Sequence, residues 1–146
     1  MKSLLVRLTL LAATAQTAWA APPAPVIDVY KSPTCGCCAK WIDHLEANGF
    51  TVRGHDTADL DQHKRRLGIP PEFASCHTAE LAGYAIEGHV PARDIRRLLR
   101  EKPHARGLAV PGMPIGSPGM EQGARKDPYA VLLVNPNGSA RTFSRY

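Results

Sequence analysis

Cysteines stand at positions 35, 37, 38 and 76, the first three within YKSPTCGCCAKW and the fourth within SCHT. Sulfur at this density suits two kinds of chemistry, thiol–disulfide exchange and the binding of soft metal ions. A stapling role fits badly, because a bridge between near neighbours closes almost no loop and restricts the unfolded chain little. Exchange needs a C-x-x-C pair, here Cys35 as attacking thiolate and Cys38 as resolving thiol, the candidate catalytic residues. Cys37 intrudes between them. A third thiol invites scrambling, and a bridge between the adjacent Cys37 and Cys38 would be strained. For a metal ion the same crowding is an advantage, since overlapping C-x-C and C-x-x-C frames offer several sulfurs from one short loop.

Other soft donors are few. After the initiator the chain has only Met113 and Met120, both in a Gly/Pro-rich segment without period. A core methionine normally sits on a periodic element as gap filler. Here Met113 and Met120 read as thioether ligands or lid contacts, and thiolate with thioether selects Cu(I) over hard cations. Zinc accepts Cys and His, but structural zinc sites rarely recruit Met. His77 adjoins Cys76 and is a candidate ligand. His89, in GHVP, reads as a residue that caps or orients a junction, with a ligand role left open. His44 and His63 fall on predicted helices and are expected to be solvated; His55 ends a strand. No Ser/His/Asp arrangement stands out, and the glycines at 112–119 open no helix as a phosphate cradle would.

The elements that must position these groups follow from periodicity. VIDVY alternates and is β-branched, a strand. AKWIDHLEANG is helical in period, with Trp41, Ile42 and Leu45 on one side and Gly49 just past its end. FTVRGHDT is a second strand. ADLDQHKRRLG is a second helix, capped by Thr57 or Asp59 and stopped at Gly68. IPPEFASCHT reads as a loop, and AELAGYAIEGHV as a hairpin turning near Gly83. PARDIRRLLREK is a third helix with Pro91 at its first turn. Residues 103–127 form a long Gly/Pro loop, uncommon in a compact domain. YAVLLVNPNGSARTFSRY is a second hairpin turning at NPNG.

The order β-α-β-α-β-β-α plus a C-terminal β-hairpin predicts an α/β, thioredoxin-like domain, a mixed β-sheet flanked by helices. That plan places Cys35 at or just before the N-cap of the first helix, with Cys37 and Cys38 in its first turn. Free backbone N–H groups and the positive end of the helix dipole favour thiolates there. The loop before the third strand packs against that helix start in such folds, so Cys76 and His77 are expected to face the CGCC turn.

The chain opens MKSLLVRLTLLAATAQTAWA, a positive start, a short apolar run and an A-x-A site before Ala21. This is the layout of a secretory signal peptide over residues 1–20. Residues 21–26 then make a short leader and 27–146 the folded domain. Cleavage removes Lys2 and Arg7, so the formal charge falls from +5 to +3, 16 basic residues against 13 acidic. Spanning a bilayer takes roughly 20 apolar residues, which no later segment supplies, so no stable membrane insertion is expected after cleavage. The basic helix RDIRRLLREK lacks aromatic interleaving and reads as a solvated face, not a nucleic-acid surface.

YKSPTCGCCAKWIDHLEANGF, GIPPEFASCHTAELAGYAIEGHVPARDIRRLL and GLAVPGMPIGSPGM together resemble the CopG-type periplasmic copper-resistance proteins, over nearly all of residues 27–146. The resemblance implies a thioredoxin-like fold, a periplasmic location and a cluster of more than one Cu(I) ion. It also implies redox activity at the same cysteines. Carried onto this chain, the implied ligands are Cys35, Cys37, Cys38 and Cys76. His77, Met113 and Met120 are added on ligand type and position alone. Expected partners are copper ions and periplasmic copper-export or copper-oxidising proteins. The competing expectation is a metal-independent thiol–disulfide oxidoreductase of the periplasm.

Overall fold

The structure, a computed structural model, describes residues 25–146. The expected signal peptide and most of the leader lie outside the described residues. The elements run β1 (Ile27–Lys31), α1 (Gly36–Ala47), β2 (Val52–Asp56), α2 (Leu60–Leu67), β3 (His77–Leu81), β4 (Tyr84–Glu87), α3 (Ala92–Glu101), β5 (Gly107–Ala109), β6 (Ala130–Val134) and β7 (Ala140–Arg145). A single 3-10 turn, Pro71–Phe73, interrupts the loop before β3. All seven strands join one mixed sheet in the order β2-β1-β3-β4-β5-β6-β7. The pairs β1·β2 and β4·β5 are parallel and the rest antiparallel. The α/β architecture expected from the sequence is present.

Alternation along the strands decides what each face meets. Ile27 and Val29 of β1 are fully buried and pack with Trp41 and Leu45 of α1 and with Ile95 and Leu98 of α3. Tyr30, next after Val29 and on the opposite face, faces α2, where it stacks on His63 with ring centroids 3.9 Å apart. Helix ends carry the expected chemistry. Asp59 caps α2 by accepting from the Gln62 N–H at 3.0 Å, and Gly68 closes it in the left-handed conformation.

Two expectations need correction. The segment 103–127 is not wholly irregular, because β5 lies inside it and bridges β4 to β6. Three buried residues are too few to show a period. Gly107 is needed there, since any Cβ would lie 1.7 Å from the carbonyl oxygen of Ala85. The C-terminal hairpin β6–β7 is thereby part of the main sheet. Nor is His44 simply solvated: its Nε2 accepts the Ala92 N–H at 3.1 Å, tying α1 to the start of α3. Desolvation there lowers its pKa below the ordinary histidine value.

Candidate metal and redox centre

Antiparallel pairing sets Lys31 of β1 opposite His77 of β3. Beyond that pair, β1 runs on through residues 32–34 into α1, and β3 is entered from Cys76. The register therefore delivers Cys76 to the mouth of the helix that carries the other three cysteines. Cys35 is the N-cap of α1, and Cys37 and Cys38 occupy its first turn, as the sequence predicts.

The sulfurs converge. Cys35 and Cys38 form a disulfide, while Cys37 and Cys76 are free. Cys37 Sγ lies 3.5 Å from Cys35 Sγ and 3.8 Å from Cys76 Sγ, and Cys38 Sγ lies 3.6 Å from Cys76 Sγ. Two imidazoles extend the cluster on the Cys76 side, with His77 Nδ1 at 3.4 Å and His89 Nε2 at 3.1 Å from that sulfur. Both groups of donors, the four cysteines and the set Cys76, His77, His89, are compact enough to hold a metal ion.

The surroundings orient these donors. His89 Nδ1 donates to the carbonyl oxygen of Pro118 at 2.8 Å, which leaves Nε2 as the bare nitrogen facing Cys76. His77 is fully buried between the rings of Trp41, 4.3 Å away, and His89, 5.0 Å away. Its Nε2 is buried with no hydrogen-bond partner among the described residues. Trp41 is held in turn by its indole N–H, which donates to the Val90 carbonyl at 2.9 Å.

The Gly/Pro segment covers this centre. Gly119 packs on the first turns of α1, and Gly112 donates its N–H to the Ala74 carbonyl at 3.1 Å, beside the Cys76 loop. Met120 directly follows the first contact and is half-buried. Met113 directly follows the second and is 51% exposed. The structure thus brings together Cys35, Cys37, Cys38, Cys76 and His77, with Met113 and Met120 on the covering segment.

Burial sets the protonation of the Cys76 side. Cys76 is pushed up to about 12, first by desolvation and then by the neighbouring Cys37. Cys76 stands outside the first turn of α1, so with Cys35 and Cys38 joined it is a neutral thiol. Both imidazoles are held neutral too. Desolvation lowers His77 far below the ordinary value, with His89 and Lys64 adding to the effect, and desolvation also lowers His89. Neutral imidazoles and a thiol that loses its proton on coordination are the forms a soft cation binds. The donor set, four sulfurs and two neutral ring nitrogens with one orphaned buried nitrogen, fits a soft metal.

His89 is the site residue that sequence reasoning left open. Its position in GHVP showed a junction but not its direction. The only sequence cue was its proximity to a thiol-bearing segment.

The fold and site define an α/β domain with a mixed sheet whose first helix opens on a convergent sulfur centre. Two solved structures share this fold, described as "Copper resistance protein copG- Form 2" and "Copper resistance protein copG- Form 1". Each is 50% identical to this chain at a TM-score of 0.81 and covers 85% of it, with 99% and 98% of the respective neighbour matched. A family model described as "Protein of unknown function, DUF411" matches residues 73–120, a span that holds Cys76 and Met120. No curated protein matches the chain. The chain belongs to the CopG family of copper-resistance proteins.

Proposed function

We propose that this protein is a periplasmic Cu(I)-binding protein of copper resistance. In this reading Cys35, Cys37, Cys38 and Cys76 hold more than one Cu(I) ion as bridging thiolates. His77 completes the set, and Met113 and Met120 serve as thioether ligands or lid contacts. The observation that carries it is the approach of Cys76 to 3.6 Å from Cys38 and 3.8 Å from Cys37 across the fold. Exchange catalysis needs neither that fourth sulfur nor Cys37; a multinuclear thiolate site needs both.

Redox chemistry belongs to the same centre. Joining the Cys35 and Cys38 thiols releases two electrons and two protons, enough to reduce two Cu(II) to two Cu(I). A dithiol donor would restore the pair. Once bonded to each other, these sulfurs are no longer thiolate donors, so the oxidised centre releases copper that the reduced centre holds. Export by the signal peptide would place this chemistry in the periplasm, where copper-export or copper-oxidising proteins are the partners. No described helix is long and apolar enough to cross a membrane.

The experiment is an anaerobic titration of the reduced protein with Cu(I) against a competing chelator, with free thiols counted in parallel. Uptake of several ions per chain, lost in Cys76→Ser, supports the reading; no uptake by the wild type ends it. The Cys35–Cys38 disulfide favours one second reading, a metal-independent thiol–disulfide oxidoreductase, which would reduce protein disulfides without copper.

A further inference from the structure

Lys64 of α2 and Glu87 of β4 form an ion pair on the sheet face opposite α1, with both residues buried, 7% and 0% exposed. Taking two charges out of water is costly, and an apolar pair of similar volume is often as stable. Stability alone therefore does not explain the pair. Its other bonds point to a use. Glu87 Oε1 accepts the backbone N–H of Ser75 at 2.6 Å, and Lys64 Nζ donates to the carbonyl oxygen of His77 at 3.3 Å. Ser75 and His77 are the two neighbours of Cys76. The pair grips the backbone immediately before and immediately after that sulfur. The nearest upstream proline is Pro71, too far away for its ring to restrain this segment.

We propose that Lys64 and Glu87 are positioning residues for the sulfur centre, clamping Ser75 and His77 so that Cys76 stands at bonding distance from a metal shared with Cys37 and Cys38. Oriented donors outside the ligand set are a regular device of metal sites, because a free loop would lose entropy each time the metal bound. A carboxylate accepting a backbone N–H and an ammonium donating to a backbone carbonyl hold one segment from opposite sides. Neither group touches the cysteine side chains, so the clamp sets geometry without competing for the metal. A second tether, the bond between Gly112 N–H and the Ala74 carbonyl at 3.1 Å, keeps the preceding residue on the fold if the clamp is removed.

The inference rests on the proposed metal-binding role only for its copper readout; the disulfide pattern of the metal-free protein tests it independently. Two double variants separate the clamp from bulk stability. Lys64→Met with Glu87→Leu removes both grips, whereas Lys64→Met with Glu87→Gln keeps an oxygen for the Ser75 N–H. Each protein is oxidised without metal and its disulfides are mapped by peptide mass spectrometry. The wild type and the Gln variant should keep Cys35–Cys38 with Cys37 and Cys76 free. The Leu variant should acquire bridges that include Cys76. Cu(I) affinity by chelator competition should fall about 10–100-fold in the Leu variant and stay near wild type in the Gln variant.

A folded Leu variant with the wild-type disulfide map and affinity overturns the clamp. If that variant does not fold, Lys64→Met with Glu87→Met decides, since its side chains are closer in length to the native pair and it also removes both grips. An unchanged map and affinity there overturn the clamp equally. A wild type that takes up no Cu(I) sinks the metal reading and leaves the disulfide map to judge the clamp.

Discussion

Gly119 sits so closely on α1 that any Cβ there would lie 2.8 Å from the carbonyl oxygen of Cys37. Its φ of +84° is also one that side chains rarely adopt. The covering segment is thus held against the sulfur-bearing helix by the absence of one carbon atom. Gly119→Ala must displace either the segment or the first turn of α1. The expected cost is about 1–3 kcal/mol. Thermal denaturation reads the cost, and faster proteolysis within residues 111–126 reads the displacement.

Cys37 and Cys76 separate metal binding from exchange. Cys37→Ser and Cys76→Ser both leave the Cys35–Cys38 pair intact. A thiolate metal site should lose ions and affinity in each variant, while reduction of a test disulfide should survive in both. Retained copper stoichiometry in Cys37→Ser would argue for exchange as the main activity.

Copper capacity should follow the redox state. With Cys35 and Cys38 joined, two of the four thiols are withdrawn. The oxidised protein should bind fewer Cu(I) ions than the same sample after reduction and reductant removal. Equal stoichiometry before and after reduction would mean that the bonded pair lies outside the metal site.

Three histidines make the fold acid-sensitive. Desolvation holds His44, His77 and His89 below the ordinary value of 6.5. Above that value each ring is neutral both folded and unfolded, and pH has no leverage. As pH falls below it, the unfolded chain takes up protons that the native state refuses, so stability falls. The loss continues until pH reaches the lowered native values. Denaturant melts of the metal-free protein at about pH 7.5 and about pH 5 should show the lower midpoint in acid. His44→Gln should flatten the dependence partly.

Trp41 couples the core to the centre, since its indole N–H holds the Val90 carbonyl at 2.9 Å while its ring packs on His77. Trp41→Phe leaves that buried carbonyl without its partner and should cost about 1–3 kcal/mol. The only other tryptophan, Trp19, lies in the expected signal peptide. In a chain lacking residues 1–20, the fluorescence of Trp41 alone should change on Cu(I) addition and give a direct binding readout.

Much of this was legible in the residues. Ile27 and Val29 announced a half-buried strand, Trp41 and Leu45 a helix face, and Asp59 and Gly68 the ends of α2. Cys76 was expected at the CGCC turn because a strand-helix plan of this kind brings the loop before β3 to the first helix. Strand β5 was hidden, because Gly107–Ala109 is shorter than any period and its pairing partners lie far away in the chain. Lys64 lies among the charges of ADLDQHKRRLG, and nothing near it in sequence shows that Glu87 waits beneath it.

What the sequence alone determined was the kind of chemistry and the local frame: four cysteines, three of them at a helix start, and the strands and helices flanking them. These depend on side-chain type and on neighbours a few residues apart, which any reading of the chain contains. The tertiary structure decided which distant groups meet. The β1·β3 register set Cys76 against Cys37 and Cys38, and the bond to Pro118 turned His89 toward the same sulfur. Burial then kept Cys76 and the two imidazoles neutral. Those outcomes depend on long-range pairing and on exclusion of water, quantities that exist only once the whole sheet has closed over the site.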